Sequence, residues 1–78
     1  MKTVSISLNS IDKAKTFVNI INRFDCDFDL ISGRYVIDAK SIMGIFSLDL
    51  SEEMNLQIHE DNENALSEIL TILEPYRV

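Results

Sequence analysis

Lys40-Ser41-Ile42-Met43-Gly44-Ile45-Phe46-Ser47-Leu48 is the stretch on which the fold turns. Ser41 offers a side-chain oxygen to the free backbone donors of a helix start, and the apolar run behind it is too short for a core helix. Ile42, Met43, Ile45 and Phe46 cannot all point inward from so short a helix, so part of this set is expected at the surface. Upstream, Cys26, Phe28 and Leu30 alternate with Asp25, Asp27 and Asp29, the period of a strand with one apolar and one acidic face. Ser32-Gly33 supplies a turn, since glycine accepts the positive φ of a tight hairpin. Beyond it Tyr35, Ile37 and Ala39 have the parity of Phe28 and Leu30, and Arg34 has the parity to pair with an aspartate of the acidic face.

The outer segments complete the pattern. Val4, Ile6 and Leu8 recur at every second residue, which predicts a first strand buried on one face. Asn9 and Ser10 can cap a helix whose apolar stripe is Ile11, Ala14, Phe17, Val18, Ile21 and Phe24, ending near Arg23. Met54, Leu56 and Ile58 form a fourth strand. Asp61 or Asn62 then caps a last helix with Ala65, Leu66, Ile69, Leu70 and Leu73 on one stripe, terminated by Pro75. The order is βαββαβα. Strands with one polar face and helices with one apolar stripe predict an α+β open-faced sandwich: a four-stranded antiparallel sheet covered on one face by three helices.

Composition narrows the function classes. The 78 residues are expected to form a single domain, 1–78, near the lower size limit for a chain without disulfides or metal. The net charge of -6, with dispersed basic residues, argues against nucleic acid and against an anionic membrane surface. One cysteine and one histidine cannot build a structural zinc site, and no metal or cofactor is expected. Asp25, Asp27, Asp29 and Asp38 read as a solvated sheet face, because strand spacing disperses them and no calcium-binding loop is present. Cys26 has core parity and reads as a small buried hydrophobe. Neither a signal peptide nor an 18-residue apolar run is found, which predicts a cytoplasmic protein. Nucleophile–base pairs and phosphate-cradling glycine loops are absent, so the chain does not read as an enzyme.

The segment from Lys40 to Leu48 closely resembles the K-S-[IL]-M-G-[VL]-[ML]-[ST]-L segment of HPr, the histidine-containing phosphocarrier family of the bacterial sugar phosphotransferase system. Arg23-Phe24-Asp25-Cys26-Asp27 is similar to the family's end of helix one, and Asp61-Asn62-Glu63-Asn64-Ala65-Leu66 to its last-helix cap. The resemblance implies the same open-faced sandwich. It also implies a phosphoacceptor histidine in a G-[IL]-H-A-R-P-A motif at the start of helix one, where this chain reads Asn9-Ser10-Ile11-Asp12-Lys13-Ala14. Ungapped alignment from Lys40 puts Ser10 in the place of that histidine, Asp12 in that of the arginine and Lys13 in that of the proline. A phosphoramidate has the transfer potential a carrier needs, whereas a serine phosphate is a stable ester, and Asp12 repels the transferred anion.

What the resemblance retains lies at Ser41. In many low-GC Gram-positive bacteria the equivalent serine is phosphorylated by HPr kinase/phosphorylase, and the phosphoform binds a transcriptional corepressor. By the same resemblance Lys40, Ile42, Met43 and Phe46 belong to the family's docking patch for protein partners. The implied function is a non-catalytic regulator or adaptor, like a histidine-lacking HPr paralogue of catabolite repression, as a monomer or weak dimer. The alternative is a phosphocarrier with a substitute acceptor, His59 or Ser10, and a third reading is a degenerate paralogue kept for its fold.

Overall fold

The computed structural model describes residues 1–78, in the order β1 (Lys2–Ile6), α1 (Ile11–Ile21), β2 (Asp27–Ser32), β3 (Tyr35–Asp38), α2 (Ile42–Phe46), β4 (Met54–His59) and α3 (Glu63–Ile72). A 3-10 turn over Glu74–Tyr76 follows α3. The four strands form one antiparallel sheet in the order β1-β4-β2-β3. This is the open-faced sandwich expected from the alternating and helical periodicities.

Register explains the core. Val4 lies opposite Leu56, Ile6 opposite Met54, Phe28 opposite Ile58, Leu30 opposite Leu56 and Ile37 opposite Leu30, so β1, β2 and β4 turn their even-numbered residues to the helices and β3 its odd-numbered ones. Ala14, Phe17, Val18 and Ile21 of α1, Ile45 of α2, and Ile69 of α3 with Leu73 complete the cluster. Phe17 meets Tyr76 edge-on at 5.5 Å, which pins the C-terminal turn under α1. No buried side-chain polar atom lacks a partner.

The termini of the elements carry the expected caps, with local corrections. Ser10 accepts from the Lys13 N–H at 3.1 Å, and Asn62, not Asp61, caps α3 by accepting from Ala65 at 3.0 Å. Asp61 instead takes the N-terminal ammonium at 2.7 Å, which holds its carboxyl below the usual range. α1 ends at Ile21 because the Asn22 amide donates back to the Val18 carbonyl at 2.9 Å and competes with a further turn. Ile11, in the first turn of α1, is exposed although it lies on the expected apolar stripe.

The hairpin departs further from expectation. Ser32 pairs with Tyr35, so Gly33-Arg34 forms the turn, with Gly33 at φ 57. Tyr35 has core parity but is exposed, because β3 is an edge strand and its helical cover ends at Ile37 and Ala39. Cys26 precedes β2 and is only half-buried; burial, aided by Glu60, still pushes its thiol pKa up. Arg34 makes no ion pair, and the partner of the acidic face is His59, whose Nε2 lies 2.8 Å from Asp29 Oδ2.

Candidate functional site

Two places carry side chains with possible chemistry, and they lie on opposite sides of the sheet. On the helical side is α2. Ser41 adopts extended backbone at φ -92, ψ 103, which aims its hydroxyl back at the helix start, where it accepts from the Gly44 N–H at 3.2 Å. The Ser41 carbonyl takes the Ile45 N–H at 3.1 Å, and its own N–H donates to Asp38 at 3.0 Å. A β-carbon on Gly44 would come within 3.4 Å of both Ile37 Cδ1 and Ser41 Oγ, so glycine leaves the serine hydroxyl uncrowded.

The apolar residues of α2 divide as so short a helix requires. Ile45 is fully buried and anchors it, Ile42 is half-buried, and Met43 and Phe46 are 76% and 39% exposed. Two apolar side chains in water on consecutive turns make a patch that costs solvation unless something covers it. Beside them Ile42 closes a shallow, mainly apolar hollow of about 330 Å³ with Lys15, Val18 and Asn19 of α1. These three were not picked out from sequence as site residues, although their spacing of three and four places them on one helix face.

Lys40 is placed differently from a free cation beside the cap. Its ammonium donates to the Phe24 carbonyl at 2.6 Å and lies 5.7 Å from the centre of the Phe28 ring. It thus ties the α1–β2 connection to the start of α2. The Lys40 N–H, in turn, donates to Asp38 Oδ1 at 2.9 Å.

Ser10 occupies the N-cap of α1 behind Asn9, which sits in the left-handed region at φ 64. Asparagine tolerates that conformation better than most side chains, and the Asn9 N–H donates to Leu50 at 3.0 Å. Asp12 stands in the first turn, favourably placed for the helix dipole. The hydroxyl of Ser10 has its cap role and no base facing it among its hydrogen bonds.

On the open face, His59 lies across from Asp27 in register and bonds Asp29, over a hollow of about 390 Å³ lined also by Phe28 and Asp38. A carboxylate on Nε2 favours the tautomer protonated there and leaves the Nδ1 lone pair free. Three carboxylates around it repel an incoming phosphoryl group. Nowhere do three or more His, Cys, Asp or Glu side chains converge to hold a metal ion.

Removing the Ser41 hydroxyl should expose the Gly44 N–H and cost about 1 kcal/mol of stability. Urea unfolding of Ser41→Ala checks it, and Ser41→Asp, which keeps an acceptor at the cap, should recover most of the loss. Equal stability of Ser41→Ala and the parent would mean that the cap bond does not form in solution.

A family model described as the PTS HPr component phosphorylation site matches residues 11–74. Among solved structures, HPr-C-His from Thermoanaerobacter tengcongensis superposes with a TM-score of 0.74 at 29% identity, covering 94% of this chain and 90% of that one. The phosphocarrier protein HPr from Bacillus anthracis gives a TM-score of 0.67 at 28% identity, covering 91% of this chain and 90% of that one. No curated protein matches the chain in sequence. No helix is long and apolar enough to cross a membrane.

Proposed function

The chain belongs to the HPr family, and from that membership we propose that it is a non-catalytic regulatory or adaptor protein of the sugar phosphotransferase system, docking protein partners through α2. The observation that carries this reading is the state of α2: Ser41 presents an exposed, uncrowded hydroxyl, and Met43 and Phe46 stand in solvent next to it. The place of the family's phosphoacceptor holds Ser10, a helix cap whose phosphate ester would be too stable to pass on. The proposed partner is HPr kinase/phosphorylase or a transcriptional regulator, and the proposed place of action is the cytoplasm.

Phosphorylation of Ser41 is chemically straightforward. The Oγ attacks the γ-phosphorus of ATP, the bond to the bridging oxygen breaks, ADP leaves and the hydroxyl proton passes to a base of the kinase. The phosphate then lies at the start of α2, where free backbone N–H groups favour an anion. Its charge changes the electrostatics of the patch around Met43 and Phe46 without refolding the helix. Lys40 assists only if it gives up the Phe24 carbonyl, so the backbone donors carry most of this stabilisation.

The second reading, a phosphocarrier with a substitute acceptor, has one observation in its favour: Asp29 orients His59 so that Nδ1 is free. The surrounding carboxylates weigh against it. Incubation with HPr kinase/phosphorylase and ATP tests the primary reading. An acid-stable phosphate on Ser41, followed by corepressor binding, is the expected result; an unmodified Ser41 and no corepressor binding overturn it.

A further inference from the structure

The two edges of the sheet are finished differently. Along β1 the C-terminal residues close the edge: Arg77 bridges Ile6, the Ser7 N–H donates to Tyr76 at 2.8 Å, and the Val78 N–H donates to Ser5 at 3.1 Å. Along the outer side of β3 no strand or bridge is paired. The Ala39 N–H donates to Phe28 at 2.9 Å, so the odd-numbered residues of the strand turn their backbone groups toward β2 and the even-numbered ones turn theirs outward. The Asp38 carbonyl is taken by the Ser41 N–H, which leaves the Asp38 N–H and both backbone groups of Val36 facing the open edge. Val36 and Tyr35 are also 63% and 68% exposed.

We propose that β3 pairs antiparallel with β3 of a second copy of this chain, about a two-fold axis through Val36. The choice of occupant and register rests on charge. With Val36 opposite the partner's Val36, the outward backbone groups of both copies meet as a hydrogen-bonded pair. Arg34, which has no ion pair within its own chain, then stands opposite the partner's Asp38, and the symmetry repeats that pair on the other side. Tyr35 stands opposite the partner's Ile37 on the helical face. Centring the axis on Ile37 would instead oppose Arg34 to the partner's Lys40, and centring it on Tyr35 would leave Arg34 opposite Val36; only the Val36 register is self-complementary. This edge is short, so the dimer is weak, and it does not depend on the role of Ser41.

Sedimentation equilibrium from micromolar to millimolar chain tests it on the parent, Val36→Pro, Arg34→Asp and Asp38→Arg, with circular dichroism confirming each fold. Proline at position 36 removes a donor that points to solvent in the monomer, a position where edge strands tolerate it. The parent is expected to dimerise, Val36→Pro to stay monomeric, and each charge variant to associate roughly tenfold more weakly, since two opposite-charge pairs become two like-charge pairs. An equimolar mixture of Arg34→Asp and Asp38→Arg restores opposite charges at both positions and should recover association as a heterodimer. A parent that remains monomeric at millimolar concentration, a dimer indifferent to Val36→Pro, or a mixture no tighter than its components overturns the proposal.

Discussion

Phe17→Ala is expected to lower the unfolding free energy by about 3–5 kcal/mol, the range for truncating a buried aromatic ring. Phe17 is fully buried on the inner face of α1, and its edge-on contact with Tyr76 is the aromatic tie between that helix and the C-terminal turn. The total stability of a domain this small is about 5 kcal/mol at the low end of the usual range, so the variant should be partly unfolded at 37 °C. At roughly 4–8 °C per kcal/mol the melting temperature falls by about 20 °C. Calorimetry or thermal circular dichroism reads the effect. A fall equivalent to under about 1 kcal/mol would mean that the ring is not held between α1, the sheet and Tyr76. The C-terminal residues that finish the β1 edge are held by this same tie, so amide exchange at Val78 and Ser7 should quicken in the variant.

The second large effect falls on docking and should leave stability almost untouched. Met43 is 76% exposed and contributes little to the core, so Met43→Asp should unfold at nearly the parent's temperature. If α2 is the docking surface, burying a carboxylate in place of the thioether at the centre of the interface costs 2 kcal/mol or more, roughly a 30-fold loss. The readout is kcat/KM for Ser41 phosphorylation by HPr kinase/phosphorylase. Phe46→Ala should lose a comparable amount, while Thr3→Asp on the open face should lose nothing. Equal kcat/KM for Met43→Asp and the parent would remove α2 as the contact surface.

The parts of this fold that could be read from sequence are those set by local periodicity. Val4, Ile6, Met54, Leu56 and Ile58 alternate because their strands have one dry and one wet face, and all five are buried. Ser10 and Ser41 could be recognised as caps because a cap bond reaches only three residues along the chain. The exposure of some α2 residues also followed from length alone, since a five-residue helix has one inward position to offer and Ile45 takes it.

What escaped depends on where elements meet. Tyr35 has the parity of a core residue, yet parity does not say that the helical cover stops short of the β3 edge. Arg34 was matched to the acidic face, but Asp29 bonds His59, thirty residues away, through a β2–β4 register that no local pattern encodes. The contact of the Lys40 ammonium with the Phe24 carbonyl joins residues sixteen apart through a flexible stem, which no local pattern encodes. The neighbours of Ile42 on α1, Lys15, Val18 and Asn19, became part of the candidate surface only once the two helices were packed.

The proposed function makes Ser41 the phosphoacceptor, with Ser10 standing where the family resemblance puts the histidine. Phosphorylation by two systems in parallel, HPr kinase/phosphorylase with ATP and Enzyme I with phosphoenolpyruvate, followed by mass spectrometry under conditions that preserve phosphohistidine, tests it at Ser10, Ser41 and His59 together. Phosphate on Ser41 from the kinase and none on any residue from Enzyme I is the expected result. An acid-labile phosphate on His59 from Enzyme I, with Ser41 unmodified by the kinase, would contradict it.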